Sequence, residues 1–193
     1  PYLTMTNPVA VANAGNGLFF GVGNAFTQNV LQAGTNTPVM ETSMGVSGNA
    51  TGTLTFFGFT NLSVSGTTYE TEPTQGCYLA ATSSIVENWR AVCRDSSGGT
   101  IIDTGFSSTT IINSSSTVYP TKMRVELTDA RFTVYMSTTT TNGYRKVANI
   151  TTNIPKTTNL VGGLHYGWTT AGTASSKTVR FGWLKAWWKT PTE

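Results

Sequence analysis

Charge is scarce in this chain. Of its 193 residues only 11% are Asp, Glu, Lys or Arg, the excess is +3, and residues 1–69 hold a single charge, Glu41. Nucleic-acid binding draws on clustered Lys and Arg. Here the basic residues run from Arg90 to Lys189, mostly singly, so no nucleic-acid partner is expected. Histidine is scarcer still. Any Ser-His-Asp or Cys-His device would have to use His165, which sits between Leu164 and Tyr166 in a strand-like run where an ordinary face histidine is the simpler reading. The only aspartates are Asp95, Asp103 and Asp129, scattered among turns, so the grouped oxygen donors of a Ca²⁺ site are missing. Neither metal nor cofactor is expected. No apolar run is long enough for a spanning helix, so no membrane partner is expected, and no stretch reads as a signal peptide.

What is present points to strands. Thr (37), Ser (16) and Gly (20) are abundant, good helix formers are sparse, and β-branched and aromatic residues alternate with small polar ones. In residues 122–127, Met123, Val125 and Leu127 alternate with Lys122, Arg124 and Glu126; after a turn at 128–130, Phe132, Val134 and Met136 alternate with Arg131, Thr133 and Tyr135. This is a half-buried antiparallel pair. Residues 39–46, 53–59, 144–150, 160–169 and 177–189 read as further strands. Apolar residues on both faces of 53–59 suggest a central one, and 25–31 fits a strand or a short helix. In the closing run Val179, Phe181, Trp183 and Trp187 share one parity, and Leu184, Ala186 and Trp188 the other. The expected fold is all-β, a two-sheet antiparallel sandwich of jelly-roll type. A boundary near residue 38 divides a low-charge N-terminal arm or first strands (1–38) from the sandwich (39–193).

Residues 76–106 hold both cysteines and organise the rest. With Cys77 opposite Cys93, Leu79 faces Ala91 and Ala81 faces Trp89, and all six share one apolar face. Arg90 falls on the other face with Tyr78 and Val92, and a slip of one residue would bring it into the core. For the cysteines two readings stand, a cross-strand disulfide or a pair of buried thiols.

An ordered set of short segments carries a family resemblance. Glu72-Pro73-Thr74-Gln75-Gly76, Asn88-Trp89-Arg90-Ala91-Val92, Asp103-Thr104-Gly105, Met123-Arg124-Val125-Glu126 and Asn153-Ile154-Pro155 occur in the order and spacing of the concanavalin-like (laminin-G-like) sandwich domains of tailed-bacteriophage virion proteins. The resemblance covers about residues 39–189. It implies a non-enzymatic role on the virion surface, assembled in the host cytoplasm. The expected function is that of a capsid decoration or cement subunit that binds the major capsid protein, other virion proteins and its own copies. Homo-oligomers are expected, and a trimer suits the threefold positions of a capsid. The alternative is a glycan-binding receptor-recognition module of a tail fibre. The cysteines fall where that pattern has ordinary strand residues.

Candidate sites follow. A charge-free N-terminal segment and a tryptophan-rich last strand suit subunit contacts, which deplete charge and favour aromatics, so Leu18, Phe19, Phe20, Trp187 and Trp188 are candidates. Adjacent residues on a strand point oppositely, so Trp187 and Trp188 do not both face one core. Trp168, Tyr144 and Tyr119 are candidates to contact a surface glycan. Related sandwiches include glycosidases with carboxylates about 5–9 Å apart. Glu70 and Glu72 are spaced to share a strand face, but Pro73 puts them at a turn, and no catalytic pair is expected. The sequons at Asn49, Asn61, Asn113 and Asn149 are what chance supplies in so Ser/Thr-rich a chain.

Overall fold

The computed structural model describes residues 3–7, 15–20, 37–46, 53–61, 72–82, 88–107, 121–137, 143–158, 160–168 and 177–189. Every described element is a strand: β1 (Leu3–Asn7), β2 (Gly15–Phe20), β3 (Thr37–Val46), β4 (Thr53–Thr60), β5 (Gly76–Thr82), β6 (Asn88–Asp95), β7 (Gly98–Ser107), β8 (Thr121–Leu127), β9 (Phe132–Ser137), β10 (Arg145–Ile150), β11 (Val161–Trp168) and β12 (Lys177–Lys189). They form two six-stranded antiparallel sheets. Sheet I has the order β1-β12-β3-β8-β9-β10 and sheet II the order β2-β11-β4-β5-β6-β7. Residues 1–38 supply one edge strand to each sheet. Leu3–Asn7 pairs with the start of β12 and Gly15–Phe20 with β11, so in its described parts this segment is built into the sandwich rather than a free arm. Pairing gives these charge-free residues ladder partners for their backbone groups. Residues 25–31 and Tyr119 lie outside the described residues.

Alternation builds the core. Met40 and Met44 of β3, Met123, Val125 and Leu127 of β8, and Phe132, Val134 and Met136 of β9 face inward from sheet I. Phe57, Phe59, Cys77, Leu79, Ala81, Trp89, Ala91 and Cys93 meet them from sheet II. Each large side chain so buried contributes roughly 1.5–3 kcal/mol. The hairpin register is Cys77↔Cys93, Tyr78↔Val92, Leu79↔Ala91 and Ala80↔Arg90, and Cys77 and Cys93 are joined in a disulfide. β4 lies between β11 and β5. The centre of sheet II is buried on its outer face as well, where Phe56, Tyr78, Ala80 and Val92 form a second cluster. There the Phe56 and Tyr78 rings meet edge to face, centroids 5.4 Å apart.

The closing strand departs from the single parity read in its sequence. A bulge between Phe181 and Trp183 sets Val179 and Phe181 opposite Val46 and Met44, but Trp183 opposite Ser43 and Trp187 opposite Val39. One extra residue switches the facing of everything after it. Thr42, fully buried, donates its hydroxyl to the Trp183 carbonyl at 2.9 Å, which answers both a buried polar side chain and the bulge.

Two glycines hold sheet II in its tight central register. Gly58 (φ +148°) and Gly76 (φ +147°) adopt backbone angles closed to L side chains. A Cβ at Gly58 would lie 2.6 Å from the Cys77 carbonyl oxygen and 2.7 Å from Tyr78 Cα, both backbone atoms. Gly58→Ala is therefore expected to cost about 3 kcal/mol or more in urea unfolding. Gly143→Ala, strained in φ (+108°) but with open space around it, should cost about 1 kcal/mol.

Candidate functional site

On β6 the residues that do not enter the core are Asn88, Arg90, Val92 and Arg94. Register carries the same face across β7 as Asp103 (opposite Arg90), Ile101 (opposite Val92) and Gly99 (opposite Arg94). The segment before β5 then brings Glu72 over this face. Arg90 Nη2 donates to Glu72 Oε1 at 2.8 Å. Arg94 Nη2 lies 2.6 Å from Oε2, an ion pair at an angle that makes no hydrogen bond. Tyr78 reaches back from β5 to donate its phenol to the Pro73 carbonyl at 3.4 Å. Burial, and then the negative charge of Glu72, hold that phenol un-ionised well above its usual range.

Beside the cluster, Asn88 Nδ2 donates to Asp103 Oδ2 at 3.2 Å, and Asp103 Oδ1 accepts from the Gly105 backbone N–H at 2.7 Å. Thr104 donates to the Trp89 carbonyl at 2.7 Å. The Asp103-Thr104-Gly105 segment thus shapes the register shift between Asn88 and Arg90 rather than presenting a free acid. At the far end of the β6–β7 hairpin, Asp95 Oδ1 accepts from the Ser97 hydroxyl, the Ser97 and Gly98 amides and Asn153 Nδ2. These hydrogen bonds, led by that of the Ser97 hydroxyl, hold its carboxyl below the usual range. Thr100 donates to Asn153 Oδ1 at 2.8 Å, so Asn153-Ile154-Pro155 is a clasp between this hairpin and the segment after β10. His165 stands opposite Phe56 in the ladder, in the row that continues through Ala80 and Arg90 to Asp103. Four strand spacings, about 19 Å of backbone, separate His165 from Asp103. Among the described residues no three ligating side chains gather as for a metal.

The outer face of sheet I is different in kind. Lys122, Arg124 and Glu126 of β8, Glu41 of β3, Tyr135 of β9 and Trp183, Lys185 and Trp187 of β12 share it. The Arg124 guanidinium stands 5.7 Å from the centre of Tyr135 and 5.5 Å from that of Trp187, and Lys185 Nζ stands 5.0 Å from that of Trp183. Glu126 binds Arg124 at 2.6 Å and Lys189 at 2.8 Å. Tyr144, just ahead of β10, lies over β9 and β8 to donate its phenol to Glu41 on β3. Burial, then that hydrogen bond and the Glu41 charge, keep the phenol un-ionised well above its usual range.

The residues singled out from sequence therefore fall in several places. Trp187 lies on the outer face of sheet I. Trp188 takes the inward parity of Leu184 and Ala186 but sits opposite Pro38 at the end of the strand pair, half exposed at 50%. Leu18, Phe19 and Phe20 are in edge strand β2, opposite Leu164, Gly163 and Gly162. Tyr144 belongs to sheet I, whereas Trp168 ends β11 in sheet II, opposite Thr53, so the two are in different layers. Glu70 lies outside the described residues. The Glu72–Arg90–Arg94 cluster was not read from sequence. Parity places Arg90 and Arg94 together, but nothing local signals that a residue 18 positions earlier returns to them.

No protein family and no curated protein matches the chain in sequence. Solved structures do. The Man3GlcNAc-bound exoplasmic/lumenal domain of VIP36 aligns over 100% of this chain and 85% of its own, with TM-score 0.59 and 11% identity. The fold is the concanavalin-like β-sandwich. Alginate lyase A1-II′ Y284F with product (GGG) aligns over 97% of this chain and 79% of its own, with TM-score 0.56 and 12% identity. An alginate lyase from Klebsiella pneumoniae aligns over 81% of this chain but only 61% of its own length, with TM-score 0.48 and 10% identity. VIP36 and the A1-II′ lyase share this sandwich, so the fold alone does not decide between binding and catalysis.

Two measurements probe these clusters. Glu72→Gln leaves two guanidiniums facing each other without their counter-charge, and should lower stability by about 1–3 kcal/mol. Because Tyr78 and Tyr144 ionise later in the fold than in the unfolded chain, the stability they lend is whole below about pH 10 and declines as pH rises above it. Urea unfolding at rising alkaline pH should show that decline, with a smaller slope in Tyr144→Phe.

Proposed function

We propose that this chain is a non-enzymatic structural protein of a tailed-phage particle, displayed on the capsid as a decoration or cement subunit. One observation carries the non-enzymatic part. Every described carboxylate except Asp129 already has a partner: Glu72 two arginines, Glu126 a lysine and an arginine, Glu41 a phenol, Asp95 a turn, and Asp103 an amide side chain and a backbone N–H. Among the described residues no carboxylate pair faces across a groove in the manner glycoside cleavage requires. The virion role rests on the ordered motifs at Glu72, Trp89, Asp103, Met123 and Asn153. In this fold Trp89 and Met123 pack in the core, while Glu72, Asp103 and Asn153 brace hairpins and turns, as suits a scaffold repeated many times on one surface. The exposed Trp188, opposite Pro38 at the end of β12, offers an aromatic contact to capsid subunits or further copies. Apolar area there contributes roughly 25 cal/mol per Å² before association costs.

A second reading is a receptor-recognition lectin module of a fibre. It is favoured by the partly exposed polar row of Asn88, Arg90 and Asp103 on sheet II, since such groups hydrogen-bond sugar hydroxyls. The two separate cleanly. Particles of the parent virus that lack this protein should take up the purified chain at threefold or quasi-threefold positions, and Trp188→Glu should weaken uptake about tenfold or more. Density at a fibre tip, with neutral-glycan binding lost in Arg90→Ala, would establish the second reading instead.

A further inference from the structure

We propose that the outer face of sheet I binds an anionic polysaccharide, a chain of sugar rings bearing carboxylate or sulfate groups. This goes beyond attachment to a particle and uses a different surface from the Trp188 rim. The first observation is where the charge is. Register places Lys122, Arg124, Lys146, Lys185 and Lys189 on this face, against Glu41 and Glu126. These five cations less the two carboxylates leave +3, before Arg180, which register sets opposite Gly45 on the same parity, is added. Both acids are already answered within the face, Glu126 by Arg124 and Lys189 and Glu41 by the Tyr144 phenol. Lys122, Lys146 and Lys185 are exposed, and none of them has a carboxylate partner among the described residues.

The second observation is what stands between the cations. Trp183 and Trp187 are both half-buried and lie on the same face of β12, about 13 Å apart along the strand. Lys185 is midway between them. Arg124 stands between Trp187 and Tyr135, so ring and cation alternate both along the strand and across it. A sugar ring has an apolar C–H face that lies flat on an aromatic ring and a rim of hydroxyl and acid groups. A polymer of acidic sugars matches both features at once: its rings meet the tryptophans while its charges meet the lysines between them. A neutral glycan leaves the cations unanswered. A polyanion without such rings leaves the aromatic faces unused.

The test uses the full chain and alginate as the probe, with dextran as the neutral control and a single-stranded oligonucleotide as a polyanion of another class. Affinity electrophoresis should show retardation by alginate, none by dextran, and loss of retardation as salt rises. Trp183→Ala and Lys185→Glu should each weaken alginate binding about fivefold, in line with one ring or one cation contact. Lys185→Glu is an exposed change and keeps the test valid if a tryptophan variant is poorly folded, which its melting curve reports. Ile101→Ser, on the outer face of the other sheet, should change nothing. The proposal is overturned if alginate does not retard the chain. It is equally overturned if the oligonucleotide binds as well as alginate and Trp183→Ala leaves both unaffected, since the face would then be a mere patch of charge.

Discussion

The strict alternation of β6 is the constraint on which this sandwich depends. Trp89, Ala91 and Cys93 point into the core, and Arg90, Val92 and Arg94 point away from it. A slip of one residue would put two guanidiniums in a hydrocarbon interior, at a cost far above what the hairpin's apolar contacts supply. The Cys77–Cys93 disulfide ties the correct register covalently. Gly58 and Gly76 let β4 and β5 approach in that register, with Tyr78 lying where a side chain at 58 would stand.

From that alternation the two layers acquire different outer faces. The outer face of sheet II is apolar at its centre, where Phe56, Tyr78 and Val92 pack, and polar toward β7, where Glu72 gathers two arginines. Its charges satisfy one another, and the result is a brace. The outer face of sheet I holds a surplus of cations interleaved with indole and phenol rings. The bulge in β12 makes this arrangement, because without the extra residue Trp183 and Trp187 would take the opposite facing.

Much of the architecture was legible because it rests on period-2 patterns. The Cys77↔Cys93 register, the alternating β8–β9 pair and the central place of β4 all follow from which residues tolerate burial. The β12 bulge was not legible, since the run Phe181-Gly182-Trp183 shows no break in apolar character to mark an inserted residue. Nor was the partner of Arg90 and Arg94. Ion pairs between a loop and a strand depend on how the chain returns in space, and Glu72 beside Pro73 reads locally as an ordinary turn acid. The tryptophan pair was half legible. Alternation required that Trp187 and Trp188 diverge, but it was the length of the partner strand that left the inward-parity residue, Trp188, the exposed one.

On the proposed function, the contact surfaces lie on sheet I and its rim, while the polar cluster of sheet II is structural. Hydroxyl-radical footprinting of the chain, free and then bound to the particle, reads this directly. Trp188 should become protected on the particle, while Ile101 and the β7 edge should keep the reactivity they have in the free chain. Protection of Ile101 with Trp188 left fully reactive would contradict it.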